Sequence, residues 1–109
     1  MKNIILNSTL PPFTKKCYLK LLKIPKGNVI TYKNLAKSLN SKAYRAVGTA
    51  MKNNPYAPLV PCHRVVRSDG TVGQYAKGIK VKLELLKTEG IKFKGDKILD
   101  LEKVLIGMN

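Results

Sequence analysis

The stretch ITYKNLAKSLNSKAYRAVGTAMK, Ile30 to Lys52, decides the fold. Thr31 is a ready N-cap, because its hydroxyl can accept from an amide in the first turn that follows. From Tyr32 to Leu39 the apolar residues Leu35, Ala36 and Leu39 recur at helical spacing. Asn40 and Ser41 break the pattern. A further helix from Lys42 to Lys52 would put Ala43, Ala46, Val47, Ala50 and Met51 on one inward stripe. Two short helices joined by a tight polar turn make a helix-turn-helix. The second helix exposes Arg45, Thr49 and Lys52. Its small residues Ala46, Gly48 and Ala50 allow close approach to a duplex, or simply tight packing against a neighbouring helix.

Upstream, a helix is expected from Phe13 to Ile24, with Phe13, Cys17 and Leu21 at four-residue spacing and Tyr18 and Leu22 alongside; Pro25 and Gly27 stop it. Residues 1–12 read as a short lead-in. Downstream, Asn54 precedes Pro55, where the α conformation is disfavoured. The segment PYAPLVPCHR, Pro55 to Arg64, is expected to be extended and stiff. Val65 and Val66 suggest a short strand, Ser68-Asp69-Gly70 a turn, and Thr71 to Gly73 a return strand. A helix from Ile79 to Thr88 would align Ile79, Leu83 and Leu86 and end at Gly90. The tail offers a strand and a short helix through Ile98, Leu101, Val104 and Leu105. The expected fold is mainly α: a single domain of winged helix-turn-helix-like architecture, with a short β-hairpin or strand element near the reactive segment.

The chain has 109 residues, of which 44% are hydrophobic, enough for one domain with its own core. No apolar run approaches the ~18 residues of a membrane span, and MKNIIL is too short for a secretory leader. A cytoplasmic protein without a membrane partner is expected. Charge is lopsided: 21 Lys and Arg against 6 Asp and Glu, a net +15. Such an imbalance points to a polyanionic partner, bound through phosphate neutralisation.

Two cysteines in a reducing compartment are expected to be free thiols. Cys17 falls on a helical stripe and reads as a small core hydrophobe. Cys62 lies in VPCHRVV, beside His63 and Arg64, and is the better candidate for chemistry. A thiol attacks as the thiolate and needs a base or a lowered pKa. His63 is the sole histidine. In an extended chain neighbouring side chains point opposite ways, so direct contact is not assured, but the imidazole could still act through a water. A carboxylate would then orient the imidazole, and Asp69 and Glu89 are both candidates. One histidine and two distant cysteines do not make a zinc cluster, and Gly70, Gly73 and Gly78 lack phosphate-loop spacing. No metal or cofactor is expected.

Four segments in order, IPKGNVITYKNLA, YRAVGTAMKNNP, PLVPCHRVVRSDGTVGQY and KLELLKTEG, resemble the C-terminal domain of the O6-alkylguanine-DNA alkyltransferases. The resemblance implies a DNA-repair protein, acting as a monomer on double-stranded DNA that contains O6-alkylguanine. Cys62 would be the alkyl acceptor, His63 the base acting through water, and Glu89 the group that orients it. Asn54 would be the hinge between recognition helix and active-site segment. Arg45 would enter the base stack, while Thr49 and Lys52 lie on the DNA-facing side. Tyr32 would crowd the phosphate and hold the flipped guanine. The carbonyls of Cys62 and Val65 would accept from the guanine amino group, and Tyr75 and Ala76 would wall the pocket. The resemblance divides the chain into a lead-in, residues 1–12, a reactive domain, 13–90, and an extension, 91–109, without the N-terminal domain usual in the family. It leaves the alkyl range and O4-alkylthymine open.

Three other classes compete. Non-catalytic relatives bind alkylated DNA and recruit other repair factors; they also lack an N-terminal domain, but typically carry tryptophan where this chain has Cys62. A plain helix-turn-helix regulator would leave PCHRV and Glu89 without a use. A Cys-His hydrolase would have no need of Arg45.

Overall fold

The computed structural model describes residues 1–107. Pro12 opens helix α2 (Pro12–Leu21) in the first turn, where a missing N–H costs no helical bond. Cys17, Tyr18 and Leu21 face the core as expected. Tyr18 reaches across to helix α4 (Tyr44–Lys52), where its hydroxyl donates to the carbonyl of Ala50 at 2.8 Å. That carbonyl lies in the last turn of α4, which has no partner of its own within the helix. One bond therefore docks α2 and caps α4.

The helix-turn-helix pairs α3 (Tyr32–Ser38) with α4. The Thr31 hydroxyl accepts from Asn34 N at 3.0 Å, the expected cap. Asn40 takes a left-handed φ of 55° in the turn. The inward stripe of α4 is narrower than its sequence suggests: Val47, Ala50 and Met51 are buried, but Ala43 and Ala46 are exposed. α2 and α3 make the main contacts with α4, and one side stays open, carrying Tyr44, Arg45, Ala46, Thr49 and Lys52.

Strand β1 (Ile30–Thr31) pairs in parallel with β2 (Val65–Val66), Ile30 opposite Val65. Alternate residues on a strand face opposite ways. Ile30 and Val65 join a main core with α2, α3, α4 and helix α1 (Lys2–Leu6). Val29 and Val66 join a smaller core with α5 (Ile79–Thr88), β3 (Phe93–Lys94), β4 (Lys97–Ile98) and α6 (Leu101–Val104). The strand pair is thus the seam between the two cores.

Further expectations need correction. Residues 2–6 are helical and bury Ile5, because Ser8 Oγ and Lys15 Nζ take up carbonyls at the end of α1. The Pro55–Arg64 segment is not extended; residues 55–59 form turns and Cys62–Arg64 one 3-10 turn. No return strand forms at Thr71–Gly73. Instead Asp69 Oδ1 accepts from Thr71 N (3.0 Å) and Oγ1 (2.7 Å), tightening the turn, and Thr71 makes a single bridge to Lys97. The hairpin is β3–β4, with Phe93 opposite Ile98. In α5, Ile79 is exposed and Lys82 is buried. The tail does supply its strand and short helix, and it stitches back through Val29 N to Val104 O (2.9 Å) and Ile106 N to Val29 O (2.8 Å). Among the described residues no helix is long and apolar enough to cross a membrane.

Candidate nucleophile site and basic groove

Asn54 organises the segment that follows α4. Its buried amide donates to Val60 O at 2.9 Å and to Cys62 Sγ at 3.2 Å, while its Oδ1 accepts from Tyr56 N at 2.9 Å. One side chain closes residues 54–62 into a compact loop and gives the sulfur a donor. Cys62 is fully buried. Burial pushes its thiol pKa up, and the Asn54 hydrogen bond and the Lys82 charge pull only part of the way back. The thiol is protonated at rest and needs a base.

The next residue carries an imidazole. His63 Nε2 lies 2.8 Å from Glu89 Oε2. Glu89 is the C-cap of α5, fixed there by Gly90 at φ +91° and by Ile91 N donating to Leu86 O at 3.0 Å. Arg64 grips both oxygens of Glu89: Nε to Oε1 and Nη2 to Oε2, each at 2.8 Å, while Nη1 donates to Ile24 O at 2.6 Å. Burial alone would raise the Glu89 carboxyl, but the bonds from Arg64 and His63 outweigh it and hold the pKa below the ordinary value. An ionised Glu89 only accepts, so Nε2 carries the proton and Nδ1 keeps a free lone pair. That Nδ1 is buried and has no hydrogen-bond partner among the described residues. Burial keeps the imidazole neutral, lowering its pKa despite the pull of Glu89. Tyr75 packs edge-on against the ring, centroids 6.2 Å apart, and its own hydroxyl is likewise buried without a partner among the described residues. Asp69, the rival carboxylate, is occupied by Thr71 at the turn.

Lys82 is the residue that sequence reading missed. It is fully buried, and its Nζ donates to Val65 O at 2.7 Å, to Gln74 O at 3.0 Å and to Tyr32 Oη at 3.2 Å. Burial draws its pKa down to about 7. The available signal was a lone lysine four residues before Leu86, on the apolar face of α5.

Above Lys82 opens a groove of about 620 Å³ between α3, α4 and the turn after β2. Tyr32, Arg45, Thr49 and Lys52 all line it, as do Lys33 and Arg67, and among the described residues no carboxylate does. The groove does not expose Cys62. Between them lie Tyr32, whose hydroxyl donates to Gln74 O at 3.4 Å, and Lys82 beneath it. Gly73 makes this layer possible: at φ +73°, an added Cβ would sit 2.6 Å from Tyr32 Oη. The expected residues therefore fall into two sets, the groove set and the buried set of Asn54, Cys62, His63, Val65, Tyr75 and Glu89. Ala76 joins neither; it is exposed in the turn before α5.

Residues 12–91 match the family described as 6-O-methylguanine DNA methyltransferase, DNA binding domain. The methylated-DNA–protein-cysteine methyltransferase of Thermococcus kodakarensis is 56% identical over 82 residues, 74% of this chain and 46% of that protein. The crystal structure of Mycobacterium tuberculosis OGT in complex with DNA superposes with a TM-score of 0.71 at 38% identity, covering 73% of this chain and 50% of that one. S. pombe Atl1, in complex with damaged DNA containing O6-carboxymethylguanine, superposes with a TM-score of 0.79 at 29% identity over 91% of this chain and 98% of that one. The chain spans about half the length of the methyltransferases it matches.

Proposed function

Because this chain belongs to the 6-O-methylguanine DNA methyltransferase family through that DNA-binding domain, we propose that it repairs double-stranded DNA by transferring the alkyl group of O6-alkylguanine irreversibly to Cys62 Sγ. The observation that carries this reading is the neutral His63, anchored by Glu89 and Arg64 with Nδ1 free, next in the chain to a buried thiol held by Asn54.

A base stacked in a duplex is out of reach of a buried thiol, so the nucleotide must leave the stack, at a cost of a few kcal/mol. Lys33, Lys52 and Arg67 neutralise phosphates along the groove. Arg45, exposed on α4, fills the gap that the flipped nucleotide leaves. Thr49 stands one turn beyond Arg45 on the same face. The extruded base passes Tyr32 and enters between Val65 and Tyr75, with the Ala76 turn as the outer wall. The carbonyls of Cys62 and Val65 face the amino group of the base.

His63 Nδ1 takes the Cys62 proton through a water, a contribution of about 10²–10⁴ in rate. The sulfur attacks the alkyl carbon, the carbon–O6 bond breaks, and its electron pair stays on O6. Lys82 and the Tyr32 hydroxyl supply positive charge and a proton to the departing guanine. The product is a thioether and a normal guanine, and the protein acts once. The net charge and the basic lining of the groove support binding to DNA; action as a monomer in the cytoplasm belongs to the same proposal.

A second reading is a sensor of alkylated DNA, favoured by the match to nearly the whole of Atl1. Intact mass after incubation with a duplex holding one O6-methylguanine separates the two. One methyl increment per chain, mapped to Cys62, is expected for repair. Selective lesion binding without an increment would leave the sensor.

A further inference from the structure

The groove does not use all of the positive charge. Thirteen lysines and arginines precede Asp69, which is the first acidic residue of the chain. Lys33, Arg45, Lys52 and Arg67 line the groove. Lys16, Lys20 and Lys23 do not. They recur at i, i+4 and i+7 along α2 and just past its end, and Lys26 extends the row. Lys16, Lys23 and Lys26 are exposed and Lys20 is half-buried, while Cys17, Tyr18 and Leu21 turn the other way into the core. No ion pair joins these lysines to a carboxylate among the described residues.

A face of one sign is unusual. Solvated surfaces intersperse both signs, as the C-terminal part does here with Glu84, Asp96, Asp100 and Glu102 among its lysines. Like charges three and four residues apart destabilise a helix. The helix dipole favours cations only near the last turn, which covers Lys20 and Lys23 but not Lys16. Lys15 has a separate use, its Nζ donating to Leu6 O at 3.1 Å.

Position decides what the row can reach. α2 packs on the buried side of α4, through Tyr18 and Ala50, and the groove opens on the exposed side of α4. A duplex seated in the groove lies across α4 from α2. A membrane-binding helix needs an apolar face to insert, and the apolar residues of α2 are spent in the core.

We propose that Lys16, Lys20, Lys23 and Lys26 form a second phosphate-binding surface, which holds a second segment of double-stranded DNA while the groove engages the first. The proposal rests on the DNA reading of the groove and not on alkyl transfer. Beads carrying a duplex with one O6-methylguanine, loaded with the protein, should capture a labelled undamaged duplex from solution. The K16E/K20E/K23E variant should lose this capture, and the K16R/K20R/K23R variant should keep it. The triple Gln variant should reduce the salt slope of capture by about three, close to one for each phosphate no longer neutralised. Methyl transfer from a short lesion duplex in solution should match the wild type in all three variants, which also reports their folding. Capture that survives the triple Glu change, no capture by the wild type, or a row that binds anionic-lipid vesicles in place of the duplex overturns the proposal. Capture without transfer in the wild type would instead overturn the repair reading.

Discussion

Lys82 Nζ donates to the carbonyl oxygen of Val65 at 2.7 Å, fully buried, tying α5 to the strand pair beneath the groove. The same ammonium reaches Tyr32 Oη at 3.2 Å, so one buried cation touches both the wall of the groove and the lining of the thiol site.

Burial lowers the Lys82 pKa from 10.5 to about 7. In the unfolded chain the amine keeps its proton up to its ordinary pKa, whereas the folded protein releases it above 7. The unfolded state therefore binds more protons in this window, and stability rises with pH from about 7 towards 10.5. The full shift corresponds to a cost on the order of 5 kcal/mol for holding the charged form. Lys82→Met should flatten that rise, read by urea unfolding at several pH values. It should also slow transfer by about 10²-fold through loss of the positive charge beside the leaving base. An unchanged pH slope would mean that another group carries it.

Lys82 also shows where the sequence stops informing. The helices from Phe13, Tyr32, Lys42 and Ile79 were legible because each has a local apolar period and a local stop. The Thr31 cap was legible for the same reason. The β1–β2 pairing was not, since Ile30 and Val65 meet across the chain and a two-residue strand carries no period. Nor was the Pro55–Arg64 loop: its shape comes from Asn54, whose three hydrogen bonds depend on a fold already formed. Residue pattern left Asp69 and Glu89 level; the resemblance pointed to Glu89, and it is the α5 C-cap that brings that carboxylate to His63. The grip of Arg64 on Glu89 and the burial of Lys82 were not legible either, because burial of a charge is a property of packing and not of spacing.

Arg64 gives the second test. It holds Glu89 by two bonds at 2.8 Å and anchors to Ile24 O. A carboxyl whose folded pKa is depressed adds stability above its unfolded value, and this is lost as pH falls through the folded one. Arg64→Met leaves Glu89 partly buried beside His63 alone. Acid unfolding should begin at higher pH than in the wild type, with about 3 kcal/mol lost at neutral pH from breaking a largely buried pair. Arg64→Lys should recover part of the loss, because it keeps the charge but not the paired geometry. A wild-type acid midpoint in Arg64→Met would remove Arg64 from the support of Glu89.

Tyr18→Phe tests the joint between α2 and α4. The change deletes the 2.8 Å bond to Ala50 O and leaves a buried helix-end carbonyl unpaired. A loss of about 1–3 kcal/mol is expected by chemical denaturation. Transfer by the folded fraction should be unaltered, because Tyr18 touches the recognition helix only from behind.

Cys17→Ala separates the two thiols. Burial lifts the Cys17 pKa to about 11, and the side chain is packed in the main core, so the sulfur serves packing. The variant should accept one alkyl group from the lesion duplex as the wild type does, at a stability cost of about 1 kcal/mol for the small cavity. Cys62→Ser should bind the lesion duplex and accept none. An alkyl increment in the serine variant, mapped to Cys17, would reverse the assignment.

Arg45→Ala addresses how the base is brought to the thiol. Arg45 is exposed on α4 and lines the groove, but it is not among the residues packed around Cys62. Its proposed work, filling the stack behind a flipped nucleotide, exists only in a duplex. Free O6-benzylguanine needs no flipping and should react with the variant at the wild-type rate. Duplex repair should slow by about 10–100-fold, since unstacking costs a few kcal/mol and the wedge offsets part of it. Equal slowing on both substrates would place Arg45 in the chemical step or in the integrity of the fold. No slowing on either would leave extrusion to Tyr32 and the crowding of the phosphate.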